Sequence, residues 1–526
     1  KRAAEVIVVN PNGCRVAYRG PVAGPKGEAW AKEAIDAVSE NRAVAKATGP
    51  VKGSEIKFPA RAQNFSKISY ADDVAPIIEA KCATCHQPGA VGPMPLTSYE
   101  MVKGFAPMIR EVIRTQRMPP DTADPTVGHF RDDWRLTGEQ KKTLVHWIEA
   151  GAKRGEGEDP LTKVKFSVPE WPLGKPDLVV TIPEAKIQAT GLMDYQYPVV
   201  PDVFPEDRWL RAASYKFSDR KAVHHVITSA RPKGEANSAA LGAIQLGGFV
   251  PGRHSSVGYE DSGVLVPANA GVVFQNHYAP YGKETSVKTE VGYYFYPKGE
   301  PPKYRKRLFG IFDFNLEIPA GAEHHTEIAY APFPKDALLT AITPHAHSRG
   351  AAATVSLRYP DGKEELLLAV PRYDFNWQHD YHLVEPIPVP AGSKLVARWV
   401  YNNSPRNKAN PDPKRTVPWG EQTTEEMLAV YAHFRWVGET VDNPLNEYDR
   451  LMQAGTMMGI LDTSLDGKLQ EAEMTGPVAT RMKANFAALD KNKDGALSQE
   501  EMPGGRPIPA AATAGTAASP APSGGQ

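Results

Sequence analysis

Cysteine is almost absent: there are three in 526 residues, two of them inside one pentapeptide. No disulfide framework can be laid out, so the folded parts must be held by hydrophobic burial. Neither sign of charge is in excess, with 61 Lys+Arg against 61 Asp+Glu. No basic stripe interleaved with aromatics occurs, which argues against a nucleic-acid partner. No run of about 18 apolar residues is present, so no transmembrane helix is expected. The opening Lys1-Arg2-Ala3-Ala4 runs straight into Glu5-Val6-Ile7-Val8-Val9 without the apolar core of an export signal. Histidine is rare, 14 in all, yet it gathers in groups.

Cys82-Ala83-Thr84-Cys85-His86 is the most informative stretch. Two thiols suited to thioether bonds and an adjacent histidine for iron read as one c-type haem attachment site. The histidine argues against a redox dithiol, and the lack of a second cysteine pair against zinc. Covalent haem is attached after export, so the expected location is extracytoplasmic, in the periplasm or secreted to the cell surface. The true N-terminus is then expected upstream or already removed. Residues 61–160 read as helical around the motif: one helix leads in from Asp72 to Ala80, a second covers Tyr99 to Gln116, and Thr137-x-x-Gln140 caps a third that buries Leu144, Trp147 and Ile148. This order resembles a small class I cytochrome c. Met118, in Arg117-Met118-Pro119-Pro120, is the expected sixth iron ligand, with Met94, His129 and His146 as rivals.

Residues 1–60 show a strand-like run at Val6–Val9, a turn Asn10-Pro11-Asn12-Gly13, a second run and a helical stretch. The pattern resembles the last third of a thioredoxin-like (redoxin) domain, whose redox residues would lie upstream; Cys14 reads as a structural thiol. A hairpin and one helix cannot bury their apolar face alone, so self-association or a bound N-terminal fragment is expected to cover it.

From about 165 to 440 the texture becomes short alternating runs such as Leu178–Ile182, Gly271–Tyr278 and Ser393–Tyr401, with a break near Lys298–Lys306. Residues 441–505 turn helical with acidic loops, and 506–526 is a low-complexity tail. The expected fold class is therefore multidomain: a thioredoxin-like remnant (1–60), a small all-α cytochrome c (61–160), two antiparallel β-sandwiches (161–300 and 301–440), an α-helical EF-hand pair (441–505) and a Pro/Ala-rich tail (506–526).

Within the alternating region lie His224-His225, His277, His345-Ala346-His347 and Met427. Residues i and i+2 of a strand share a face, so His345 and His347 can share a metal, and a thioether at Met427 suits copper(I). Adjacent His224 and His225 can both reach one metal only at a strand end or a bulge. The ordered set Val223-His224-His225-Val226, Gln275-Asn276-His277-Tyr278, Pro344-His345-Ala346-His347-Ser348-Arg349-Gly350 and Trp419 to Met427 resembles the copper type II, ascorbate-dependent monooxygenases, the peptidylglycine- and dopamine-hydroxylating group. The resemblance implies two copper ions: His224, His225 and His277 match the electron-transfer copper, and His345, His347 and Met427 the copper that binds oxygen. Peptide-amidating members carry an arginine where this chain has Thr343, so a peptidylglycine substrate is not expected. Tyr431 matches a substrate-side tyrosine. Buried histidines that merely satisfy hydrogen bonds explain a lone residue better than five histidines and a methionine in family order. That plainer account is kept for His254, His324, His325, His379, His382 and His433, read as surface or packing residues.

Two acidic loops fit the twelve-residue EF-hand calcium pattern: Asp462, Ser464, Asp466, Lys468 and Glu473, then Asp490, Asn492, Asp494, Ala496 and Glu501, with glycine at the sixth position of each. Up to two calcium ions are expected. The leading functional expectation is a monooxygenase-like oxidoreductase that hydroxylates a C–H bond of a small organic substrate with O2. His345, His347, Met427 and Tyr431 lie at its catalytic site, and the haem, given electrons by a redox partner, delivers them to copper. The alternative is an extracellular electron-transfer or structural cytochrome that assembles with itself and hydroxylates nothing.

Overall fold

The computed structural model describes residues 5–10, 15–40, 42–51, 67–131, 133–234, 244–251, 255–257 and 261–502. Cys14, His254 and the 506–526 tail lie outside them. Strands make up 34% of the chain and helix 19%. This corrects the expected fold class: the chain is mainly β, and neither a small all-α cytochrome c nor an α-helical EF-hand pair is seen. By spatial proximity the chain falls into two compact units, 1–84 with 95–119 and 135–165, and 85–94 with 120–134 and 166–526. The Cys-x-x-Cys-His motif is divided between them, Cys82 in the first and Cys85 and His86 in the second.

The helical stretches of the first unit are short for local reasons. Pro76 has no N–H to offer Asp72, and the ladder widens: the single α turn Ala75–Ile78 sits between π turns Tyr70–Val74 and Glu79–Ala83. Beyond them, Gly104 and Pro107 split the expected second helix into Tyr99–Gly104 and Ala106–Arg114. Helix Gly138–Glu149 does start at a Thr137/Gln140 capping box. Its Trp147 packs with Tyr70 and Tyr99, ring centroids 5.7 and 6.5 Å away. The same unit holds β1 (Val6–Asn10) paired with β2 (Arg15–Gly20), and helix Trp30–Ser39. Val8, Tyr18, Trp30, Ala31 and Ala34 close a small core, while Ile7, Val9 and Val16 on the other face stay 44–59% exposed.

The second unit is built from strands. Its first half runs β3 (Leu178–Ile187), β4 (Val199–Phe204), β5 (Arg208–Phe217), β6 (Val223–Arg231), β7 (Ile244–Phe249), β8 (Ser255–Val257), β9 (Ser262–Val266), β10 (Ala270–Tyr278), β11 (Thr285–Phe295) and β12 (Tyr304–Arg305). These form a sheet ordered β4-β10-β6-β7 and another ordered β12-β9-β5-β11-β3, with β8 beside β5. Phe204, Val226, Phe274, Val291 and Tyr293 fill the core. The second half runs β13 (Arg307–Phe312), β14 (Glu317–Ile318), β15 (His325–Pro332), β16 (Ala337–His345), β17 (Gly350–Arg358), β18 (Glu364–Val370), β19 (Tyr381–Val389), β20 (Lys394–Tyr401), β21 (Val417–Pro418) and β22 (Ala429–Trp436). Sheets β13-β22-β16-β19 and β15-β20-β17-β18 share a core that includes Leu339, Val355, Leu357, Trp399 and Trp436. Alternating burial along these strands turns one side chain in two toward a core and leaves the next free to line a site.

After β22 come helices Asn446–Ala454, Thr456–Leu461, Gly476–Lys483 and Phe486–Leu489, of 9, 6, 8 and 4 residues. They are not an independent helical pair: Met458, Ile460, Leu461, Leu469 and Leu497 pack with Tyr330 of β15 and Val396 of β20. Gly459 lies against that sheet so closely that a Cβ would stand 2.0 Å from the Tyr330 carbonyl oxygen. No helix among the described residues is long and apolar enough to cross a membrane.

Candidate metal centre

β6 and β10 are antiparallel neighbours with His225 opposite His277, and the register slips immediately beyond, where Tyr278 faces Val223. His224 is the residue displaced by that slip, at the start of β6. The strand end and the bulge together let two adjacent side chains turn to one place. The His224, His225 and His277 rings stand 4.7–5.8 Å apart, and one nitrogen of each lies within 4.8 Å of the others. All three are buried. His225 Nε2 and His277 Nδ1 have no hydrogen-bond partner, an arrangement that polar groups avoid unless something else satisfies them. Burial drives the imidazoles toward the neutral form, His224 down to about 3 and His277 to about 4. Neutral nitrogens with converging lone pairs are what a metal requires.

The second group sits where β16 ends. His345 Nδ1 lies 2.7 Å from Gln378 Oε1, and His347 Nδ1 lies 3.1 Å from the Glu425 carbonyl. Both acceptors fix the Nδ1–H tautomer, which leaves each Nε2 as the lone-pair side; His347 Nε2 is buried without a partner. Burial lowers both imidazoles. Register places His345 opposite Ala429 on β22, so Met427, two residues before that strand, lies close by. The Glu426 carboxylate holds this corner together by accepting backbone N–H groups from His347, from Arg349 at 2.9 Å and from Met427 at 3.0 Å.

Phe375, in the loop between β18 and β19, stands between the two groups. Its ring stacks on His224 at 4.5 Å and meets His347 edge-on at 5.6 Å. Tyr195 packs on His225 and His277 at 4.9 and 4.7 Å, and its N–H donates to Gln422 on the loop leading to Met427, at 3.1 Å. His225, His345, His347, Met427 and Tyr431 all border one cavity of about 870 Å³, with walls that include Leu210, Ile227, Val264 and Phe309. His433, expected to be a packing residue, also lines it, and Thr343 donates to Asp380 at 2.7 Å beside it.

Among the remaining expected residues, Cys82 and Cys85 are each half-buried. His86 Nδ1 lies 3.1 Å from the Met94 carbonyl, and burial lowers its affinity for a proton. Met118 belongs with Cys82 to the first unit. His146 is buried beside Glu149, 3.4 Å away. His325 pairs with Glu327 at 2.6 Å, and His379 reaches the Pro120 carbonyl at 3.0 Å. In the acidic loops Asp462 accepts from Ser464, Asp466 and Gly467, and Asp490 from Asp494 and Gly495. Glu473 and Glu501 close back on the first turn of their loops. Phe375, Gln378 and Tyr195 carry no sequence signal of their own, because they act from loops on residues distant in the chain.

No protein-family model matches the chain. No curated protein matches it either. Among solved structures, the infectious bursal virus-derived T=1 particle is 10% identical over 52% of this chain and 72% of that one, with a TM-score of 0.16. An allantoicase is 10% identical over 42% and 81%, with a TM-score of 0.12. Such low scores say nothing about this chain's fold or chemistry.

Proposed function

We propose that the chain is a copper-dependent, monooxygenase-like protein that hydroxylates a C–H bond of a small organic substrate, with a covalent haem c passing electrons to two copper ions. The carrying observation is the two histidine groups, each with a buried nitrogen that has no other partner, bordering one cavity. His224, His225 and His277 would hold one copper, and His345, His347 and Met427 the other. Cys82, Cys85 and His86, with Met118, would hold the haem. Bound there, these metals supply one-electron transfer and the chemistry of dioxygen. The chain's own residues do the rest. Gln378 and the Glu425 carbonyl lock the imidazoles in the ligating tautomer. Burial pushes the Tyr431 hydroxyl up to about 12, so it stays protonated and can donate a hydrogen bond to a substrate. Thr343 stands where the peptide-amidating enzymes carry an arginine, so a peptidylglycine substrate is not expected. Haem attachment would place the protein outside the cytoplasm, with a redox partner feeding the haem.

Metal and haem analysis of purified protein is the test, followed by oxygen uptake over a panel of small organic substrates. Two coppers per haem and substrate-dependent oxygen consumption are expected. A haem without copper would favour the electron-transfer or structural alternative.

The haem side makes its own prediction. A Cβ at Gly92 would stand 2.6 Å from His86 Nδ1 and 2.6 Å from the Cys85 carbonyl oxygen, closer than packed atoms tolerate. Gly92→Ala is therefore expected to keep covalent haem but displace the imidazole. The optical spectrum should lose its low-spin character, and an unchanged spectrum would separate Gly92 from the ligand.

The acidic loops fit calcium unequally. Lys394 Nζ reaches into the first, 3.4 Å from Asp462 Oδ2 and 2.9 Å from the Leu465 carbonyl, and a cation there opposes a second cation. Titration calorimetry is expected to show one calcium bound more tightly, lost in Glu501→Gln and retained in Glu473→Gln. The reverse pattern would assign the tighter site to the first loop.

A further inference from the structure

Arg220 precedes the first histidine pair, in the turn Arg220–Ala222 that leads into β6. Its Nη1 donates to the Val223 carbonyl at 2.9 Å, and its guanidinium lies 4.0 Å over the ring of Phe249 and 5.7 Å from that of Phe217. Nε and Nη2 are buried and have no hydrogen-bond partner. These two N–H groups share one edge of the guanidinium, the edge that takes a carboxylate in two parallel hydrogen bonds. An arginine keeps its charge, so a buried, empty fork on a half-buried arginine calls for an anion. Packing on two phenylalanines accounts for the ring contacts and leaves the fork unexplained. Cys85 belongs to the same compact unit, and the two side chains lie within electrostatic reach of each other. His224 is also within reach of Arg220.

We propose that the free edge of Arg220 receives a carboxylate of the prosthetic group anchored at Cys85, a haem propionate, and so joins the haem to the strand that carries His224 and His225. This rests on the haem reading of Cys82–His86. Arg220 would be a positioning residue, holding the haem carboxylate near β6 and supplying a cation to the bound haem.

The test uses the full chain with its cofactors. Covalent haem is first measured on the parent by intact mass and haemochrome absorbance, and redox titration then compares the parent with Arg220→Leu and Arg220→Lys. A cation near the haem favours the ferrous state. Arg220→Leu should therefore retain covalent haem yet shift the reduction equilibrium about tenfold toward ferric, a fall of about 59 mV for one electron. Arg220→Lys should recover part of the shift, which a packing role does not predict. If Arg220→Leu does not accumulate, the propionate bending band in the resonance Raman spectrum of the parent and Arg220→Lys decides, and it should move. Parent protein without covalent haem would overturn the haem reading and the proposal with it. Covalent haem with the same potential in all three proteins, or an unmoved propionate band, would overturn the proposal alone.

Discussion

Met427→Ile is expected to abolish substrate hydroxylation, by at least about two orders of magnitude, while the protein stays folded and keeps its haem and one copper. Isoleucine preserves most of the volume that Met427 contributes beside Phe312 and Ala429, and volume-conserving apolar exchanges usually cost less than about 1.5 kcal/mol. What it removes is the soft sulfur, and two imidazoles alone leave the site near His345 and His347 with weaker affinity and different geometry. Copper per chain should fall from two to about one, with the His224, His225 and His277 ion retained. Metal content and oxygen uptake, measured on one preparation, give both results. Unchanged copper and unchanged activity would remove Met427 from the site.

Glu426→Ala is expected to be the most destabilising single change near the site. Glu426 is fully buried, and its carboxylate is the shared acceptor for backbone N–H groups of His347, Arg349 and Met427. Truncation leaves these donors without a partner and removes a negative charge that acts on the buried Arg349 guanidinium. Breaking such a buried arrangement costs about 3–5 kcal/mol. A denaturant midpoint should fall accordingly, and copper at His345 and His347 should be lost even under conditions where the variant remains folded. A cost below about 1 kcal/mol would mean that solvent reaches these groups after truncation.

The strands were legible because alternation is a strong signal: the runs at Gly271–Tyr278 and Ser393–Tyr401 coincide with β10 and β20. The histidine groups were legible because they stand in a recognisable order, and the need for a strand end or bulge at His224-His225 follows from side-chain alternation alone. The helical parts were misread for a definable reason. Apolar spacing around Asp72–Ala80 and Tyr99–Gln116 looks continuous, but Pro76, Gly104 and Pro107 interrupt the hydrogen-bond ladder. After residue 441 the loops were visible, but not that their short helices bury themselves against Tyr330 and Val396. Gln378, Phe375 and Arg220 could not be picked out, because each acts through a contact that only the tertiary fold creates.

Phe375 carries a consequence for how charge travels. Its benzene ring touches both His224 and His347, and it has neither donor nor acceptor, so no hydrogen-bonded relay can be strung through it. Electrons can tunnel past an aromatic ring, but protons cannot hop across one. Any reduction carried between the two histidine groups through that ring must arrive uncompensated, and the protons that balance it would come by way of the cavity that both groups border.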